Sequence, residues 1–231
     1  DGYGMLFTNG TGTGKTFTGL GVIKRHAMQG KTNTLIIVPD DKIAEDWVTS
    51  GKALGLDITR LASTKDKGKG IVITTYANLG ENDELASRKW DLVVPDEAHS
   101  LMQSADGTVT GYLQNLRAIT HHPDGEFHRY VMQNRADLDM AAGLEKQIIS
   151  NNKIANLDDT MDVMRDSLAR ENEKIERQLA PIKTKLREAR EAVRDEVAAM
   201  QGEKRTRLVF LSATPFAYEK TVDWANGYLF E

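Results

Sequence analysis

Asn9-Gly10-Thr11-Gly12-Thr13-Gly14-Lys15-Thr16 decides how the rest of the chain is read. A short apolar run, Gly4-Met5-Leu6-Phe7-Thr8, precedes it and reads as a strand; a helical pattern from Thr16 to Met28 follows. Gly10, Gly12 and Gly14 free the backbone for turns closed to residues that carry a Cβ. Their N–H groups can then point inward at a chain of phosphates. The start of the helix adds its positive end. Lys15 supplies a full charge for the β- and γ-phosphates of ATP, and the Thr16 hydroxyl is a ligand for Mg²⁺. A glycine loop between strand and helix is the context the Walker A pattern requires. Asn9 stands where the general pattern begins with Gly.

Outward from the loop, strands and helices alternate. In the first helix Phe17, Leu20, Ile23 and Ala27 fall roughly on one face. Asn33-Thr34-Leu35-Ile36-Ile37-Val38 is an apolar, β-branched run closed by Pro39. It lacks period-two alternation, which suits a strand buried on both faces. Asp41 to Leu54 is a second helical stretch, with Ile43, Trp47 and Leu54 apolar. Further strands are expected at Gly70–Thr75, Asp91–Val94 and Arg207–Ser212. This order predicts an α/β fold: a three-layer P-loop domain with a mostly parallel sheet.

Asp91-Leu92-Val93-Val94-Pro95-Asp96-Glu97-Ala98-His99 is an apolar strand that ends in two carboxylates. Adjacent acids at a strand's carboxyl end can point two ways. Asp96 is assigned to the metal side and Glu97 to orienting and deprotonating the attacking water. In an open parallel sheet the crevice lies at those strand ends, so the glycine loop and the acids should converge. Either element alone has an ordinary explanation: Gly-Thr runs occur in turns, and Asp-Glu pairs on solvated surfaces. Together, in this order and context, they point to nucleotide chemistry.

Between Asp96 and the last strand lie residues of different character. Met161, Met164, Leu168, Ile175, Leu179, Ile182, Leu186, Ala189, Val193, Val197 and Met200 recur three or four apart, a coiled-coil-like seam with Glu171 at one of its positions. Pro181 lies inside it and predicts a kink or a break into two helices, because proline in a helix interior costs ~3 kcal/mol. The segment reads either as an amphipathic helix packed on its own domain or as a protruding arm, self-paired or partner-binding. Arg and Lys are interleaved with Glu and Asp along it, as on any solvated helix. His121, His122 and His128 lack a second ligand spacing and read as loop residues. The expected organisation is a core at 1–100, a helical insertion at 101–206 and a return to the core at 207–231.

The formal net charge is −4, which argues against a compact, strongly basic nucleic-acid-binding domain but leaves local patches open. The chain has no cysteine, so neither a disulfide framework nor a thiolate metal site is available. No run of ~20 apolar residues exists to cross a membrane. No signal peptide is visible in the first residues, and a cytoplasmic protein is the expectation.

The motifs resemble those of superfamily 2 helicases and translocases. Asp96-Glu97-Ala98-His99 matches the DEAH form of motif II, and Ser212-Ala213-Thr214 matches motif III. Leu35 to Pro39 is similar to motif Ia, and Thr74-Thr75-Tyr76 to the strand-end motif that touches the nucleic-acid backbone. The resemblance covers residues 2–100 and 207–216 and implies a RecA-like fold. It also implies ATP held by Gly10, Thr11, Gly12, Thr13, Gly14, Lys15 and Thr16, with Mg²⁺ at Thr16 and Asp96. Asp96, Glu97 and Lys15 would carry hydrolysis. His99, Ser212, Ala213 and Thr214 would transmit the nucleotide state, and Pro39 and Thr75 would lie near DNA or RNA. Pro95, where an aliphatic residue is usual, is a departure, and no upstream glutamine motif is found. The chain ends at Glu231, so a second RecA-like lobe with its arginine finger is expected outside it, and weak hydrolysis by this chain alone is expected. Pro215 to Glu231 resembles motor segments of large phage or plasmid proteins. A DNA-dependent motor is the leading reading; an RNA helicase lobe, a P-loop phosphotransferase and a nucleotide-stabilised interaction module working through its arm compete with it.

Overall fold

The computed structural model describes residues 4–8, 14–101, 110–122, 125–157, 159–200, 206–213, 225 and 228–229. It divides into two compact units, Asp1–Arg129 with Val197–Glu231, and Tyr130–Glu196.

The first unit is a three-layer α/β domain. Its strands are β1 (Gly4–Phe7), β2 (Thr34–Val38), β3 (Ile58–Arg60), β4 (Ile71–Thr75), β5 (Leu92–Pro95) and β6 (Arg207–Leu211). They form one sheet in the order β1-β6-β5-β2-β4-β3, and every pairing is parallel. The unbroken apolar runs are explained by burial on both faces. Leu35, Ile37, Val72, Val93, Leu208 and Phe210 enter one core, while Ile36, Val38, Ile73, Val94, Val209 and Leu211 enter the other. Successive residues of a strand point to opposite faces, so a strand between two helical layers needs no polar positions.

Helices α1 (Lys15–Met28) and α2 (Asp41–Ala53) cover one face through Leu20, Ile23, Ala44 and Trp47. Phe17, expected on the buried face of α1, is 58% exposed, because the inward stripe runs through Gly19, Leu20 and Ile23. The other face is covered by α3 (Tyr76–Glu81), α4 (Gly111–Ile119) and a 3₁₀ turn at Asp83–Ser87. Leu79, Leu85, Leu113, Leu116 and Ile119 fill that core. Helix α5 (Gly125–Gln133) follows, and His128 lies in it rather than in a loop.

The second unit is a helical hairpin of α6 (Arg135–Ala155) and most of α7 (Asp162–Met200), which runs on past its boundary at Glu196. Leu179, Leu186 and Val193 are buried, as the seam predicts, while Met161 and Met164 are exposed. Glu171 faces solvent and Asn172 takes its place, exchanging hydrogen bonds with Asn151 and Asn152 of α6 at 2.9 and 2.8 Å. Lys183 pairs with Glu145 and Lys185 with Asp137, which sets the two helices antiparallel. Helix α7 is continuous through Pro181, so of the expected kink or break the break does not occur. Pro181 and Arg177, four residues before it, are solvent-facing, so water can satisfy the carbonyl that proline leaves without a donor, while Leu179, Ile182 and Leu186 keep the seam on either side.

Candidate nucleotide site

Adjacent strands β1, β6 and β5 all finish at one edge of the sheet, and each delivers a motif there. After β1, Gly14 adopts φ 83°, a left-handed conformation natural to glycine, and caps α1, whose first residues are Lys15 and Thr16. The rest of the loop, Asn9 to Thr13, lies outside the described residues. After β6 comes Ser212, buried, its N–H bonded to the Phe7 carbonyl of β1 at 3.1 Å. Ala213 is half-buried beside it, and Thr214 lies outside the described residues. After β5 come Asp96 and Glu97, with Asp96 bridged to Leu211 of β6. Parallel pairing alone thus brings together residues 80 to 200 positions apart in the sequence, about as P-loop crevices are built.

Lys15 Nζ lies 3.0 Å from Glu97 Oε1, so the start of α1 and the acidic pair meet directly. His99 Nδ1 lies 3.2 Å from the other Glu97 oxygen. Glu97 is therefore held between Lys15 and His99. Its backbone φ of 48° is left-handed, which costs a non-glycine residue of order 1 kcal/mol. That conformation lets the Glu97 N–H donate back to Asp96 Oδ1 at 2.9 Å.

Asp96 is 6% exposed and all its polar atoms are bonded. Its N–H donates to the Ile37 carbonyl at 2.7 Å. Its carbonyl accepts from the Tyr76 hydroxyl at 2.9 Å, and its Oδ2 accepts from the Trp47 indole N–H at 2.9 Å. Burial raises the Asp96 carboxyl above the usual range, and the donors from Trp47 and Glu97 act against that. The Tyr76 hydroxyl is pushed well up by burial and by the charges of Asp96 and Glu97. In the sequence Trp47 reads as an apolar helix position and Tyr76 as the end of the Thr74-Thr75-Tyr76 motif; neither pattern ties the residue to Asp96. An indole in an amphipathic helix reads as core, and only its N–H, invisible in a pattern, gives it a second role.

Pro39 and Thr75 follow and end neighbouring strands, since Val38 pairs with Thr75 in the register of β2 and β4. Thr75 lines a polar groove of about 290 Å³ with Asp41, Arg60, Ser63, Thr64 and Asn78. Arg60 is ion-paired with Asp41. Asn78 donates to Thr74 Oγ1 at 2.5 Å, and Thr75 caps α3 through its own hydroxyl. Among the described residues no cluster of His, Asp and Glu forms a metal-binding group, and His128 instead bonds Asn115 at 2.7 Å.

A parallel sheet with a glycine loop, a Ser-Ala motif and an acidic pair at adjacent strand ends defines a RecA-like domain of the superfamily 2 helicase class. Residues 2–128 match the family described as type III restriction enzyme, res subunit, and the chain belongs to that family. It is thus a helicase-family ATPase domain. No curated protein matches the chain. Among solved structures it is similar to the Sulfolobus solfataricus SWI2/SNF2 ATPase core in complex with dsDNA, at 14% identity and a TM-score of 0.43, over 90% of this chain and 73% of that one.

Proposed function

We propose that this chain is the ATP-binding lobe of a DNA-dependent motor, a helicase or translocase, in which hydrolysis of ATP is coupled to movement on DNA. The observation that carries the reading is the Lys15–Glu97 contact at 3.0 Å, which joins the phosphate loop to the acidic pair across the strand ends. In this reading the N–H groups of Gly10 to Gly14, with Lys15, hold the triphosphate. The donors fit Mg²⁺, which prefers hard oxygen ligands: the Thr16 hydroxyl and the Asp96 carboxylate. Mg²⁺ would supply charge neutralisation on the β- and γ-phosphates.

Glu97 orients a water at the γ-phosphorus and takes its proton as the new P–O bond forms and the bond to ADP breaks. As Lys15 turns its charge to the phosphates, Glu97 keeps His99 as its neighbour, so His99 senses whether the phosphates are there. Ser212 and Ala213, with Thr214, extend that signal along β6. Pro39, Thr75 and the polar groove beside them supply hydroxyls, an amide and a guanidinium suited to a phosphate backbone, which fixes register without reading sequence. The family's description as a restriction enzyme subunit supports DNA as the polymer. The helical hairpin is proposed as an accessory arm that docks a protein partner: Leu157, Met161 and Val163 stand exposed around its turn.

The test is ATP turnover by the parent protein with single-stranded DNA, double-stranded DNA and RNA. Stimulation by DNA that Glu97→Gln removes supports the reading. Stimulation by RNA alone makes it an RNA motor, and turnover indifferent to any polymer contradicts it.

A further inference from the structure

Asp96 is gripped from two sides by elements that also wall the polar groove. Helix α2 places Asp41 and Ala44 on the groove and, further along, sends the buried Trp47 indole to Asp96 Oδ2 at 2.9 Å. The β4–α3 turn places Thr74, Thr75 and Asn78 on the groove and sends the buried Tyr76 hydroxyl to the Asp96 carbonyl at 2.9 Å. Neither bond is needed to fill the core. A phenylalanine or leucine would serve there, and a buried N–H or O–H must have a partner to be tolerated.

We propose that Trp47 and Tyr76 are positioning residues for Asp96, and that through them occupation of the groove changes how well that carboxylate is set to hold Mg²⁺. This rests on the reading of Asp96 as the metal-side acid.

The geometry makes the carboxylate's orientation depend on Trp47. With Oδ1 bound to the Glu97 N–H and Oδ2 to the indole, rotation of the carboxylate must break one of the two bonds. The indole is itself fixed. It is fully buried, and a Cβ at Gly19 of α1 would stand 2.5 Å from its ring, so α1 fits only because Gly19 has no side chain. Tyr76 is equally fixed, 2% exposed, with its ring 5.4 Å from that of Tyr112. A tilt of α2 or a shift of the β4–α3 turn, produced when a phosphate backbone seats in the groove, therefore moves a donor on Asp96. Partners that orient a metal ligand in this way are worth about 10–100-fold in metal affinity.

The experiment is calorimetric binding of ATP to the chain as Mg²⁺ is varied, with and without a short DNA duplex, for the parent, Trp47→Phe, Tyr76→Phe and Lys15→Ala. The expected result is a Mg²⁺ requirement raised about 10–100-fold in Trp47→Phe, with ATP binding recovered at high Mg²⁺. The duplex should shift the requirement in the parent and shift it less in Tyr76→Phe. Parental Mg²⁺ dependence in Trp47→Phe overturns the inference while leaving the nucleotide site intact. So does a loss of ATP binding that high Mg²⁺ fails to restore, which marks a packing role; Tyr76→Phe, which deletes one oxygen, is the check where Trp47→Phe is unstable. Parental ATP binding undisturbed by Lys15→Ala overturns the site reading itself, and the inference with it.

Discussion

Glu97 holds a strained backbone with φ 48° so that its N–H can return to Asp96 while its carboxylate reaches Lys15 and His99. Removing charges here should separate binding from chemistry. Lys15→Ala is expected to abolish ATP–Mg²⁺ binding, and Glu97→Gln to keep it while stopping turnover; equilibrium binding beside single-turnover hydrolysis checks both. That Lys15, Asp96 and Glu97 meet was legible in the sequence, because a glycine loop and an acidic pair that both follow strands of one parallel sheet come out at the same edge. The bonds of Trp47 and Tyr76 to Asp96 were not, because they reside in single polar atoms on side chains that otherwise pack as core. A second residue-scale expectation concerns pH. Burial lowers the His128 pKa below its ordinary 6.5, so the folded chain holds it neutral while the unfolded chain takes up a proton. The unfolded state then binds more protons as pH falls below 6.5, and the stability His128 contributes is lost in that direction. His128→Gln, which can still bond Asn115, should flatten the fall of Tm on the acid side of pH 6.5; an unchanged profile would assign the acid sensitivity elsewhere.

Among elements, α1 and α2 interlock at Gly19, where a Cβ would meet the Trp47 ring at 2.5 Å and Leu211 at 3.0 Å. Gly19→Ala should therefore cost stability, about 1–3 kcal/mol as for an overpacked core, although alanine favours helix at an exposed site. Denaturant unfolding reads the sign. The long helix α7 teaches a related lesson. Its seam was visible as spacing, but Pro181 argued for a kink or a break, and the structure contains no break. Local propensity lost to tertiary burial, since the proline falls on the solvent side while Leu179 and Leu186 stay buried. The short edge strand β3, three residues of which only Ile58 is buried, gave too little pattern to be read. Charge on the hairpin alternates, with Arg177 engaged by Glu173, Lys183 by Glu145 and Lys185 by Asp137. Reversing Arg187, Arg190 and Arg194 to Glu should leave DNA affinity and its salt slope unchanged in a filter-binding titration. A reduced slope would show that the arm contacts phosphates after all.

For the whole molecule, the sheet order β1-β6-β5-β2-β4-β3 explains why motifs scattered over the chain meet at one edge: Lys15, Ser212 and the Asp96–Glu97 pair follow adjacent strands, and Pro39 and Thr75 lie at the ends of the next pair. The alternation of strands and helices made this parallel architecture readable, whereas the strand order became visible only in three dimensions. Because residues 130–196 form a compact unit of their own, replacing them with a flexible linker should leave ATP binding in place. Loss of the folded core on that replacement would show the hairpin to be structural. Whether Lys15 and the Asp96–Glu97 pair form one ATP–Mg²⁺ site is decided by measuring ATP binding to the parent chain and to Lys15→Ala with and without Mg²⁺. Mg²⁺-dependent binding in the parent, lost in Lys15→Ala, is the expected result. Binding that survives Lys15→Ala, or a folded parent chain that binds no ATP at any Mg²⁺ concentration, would contradict it.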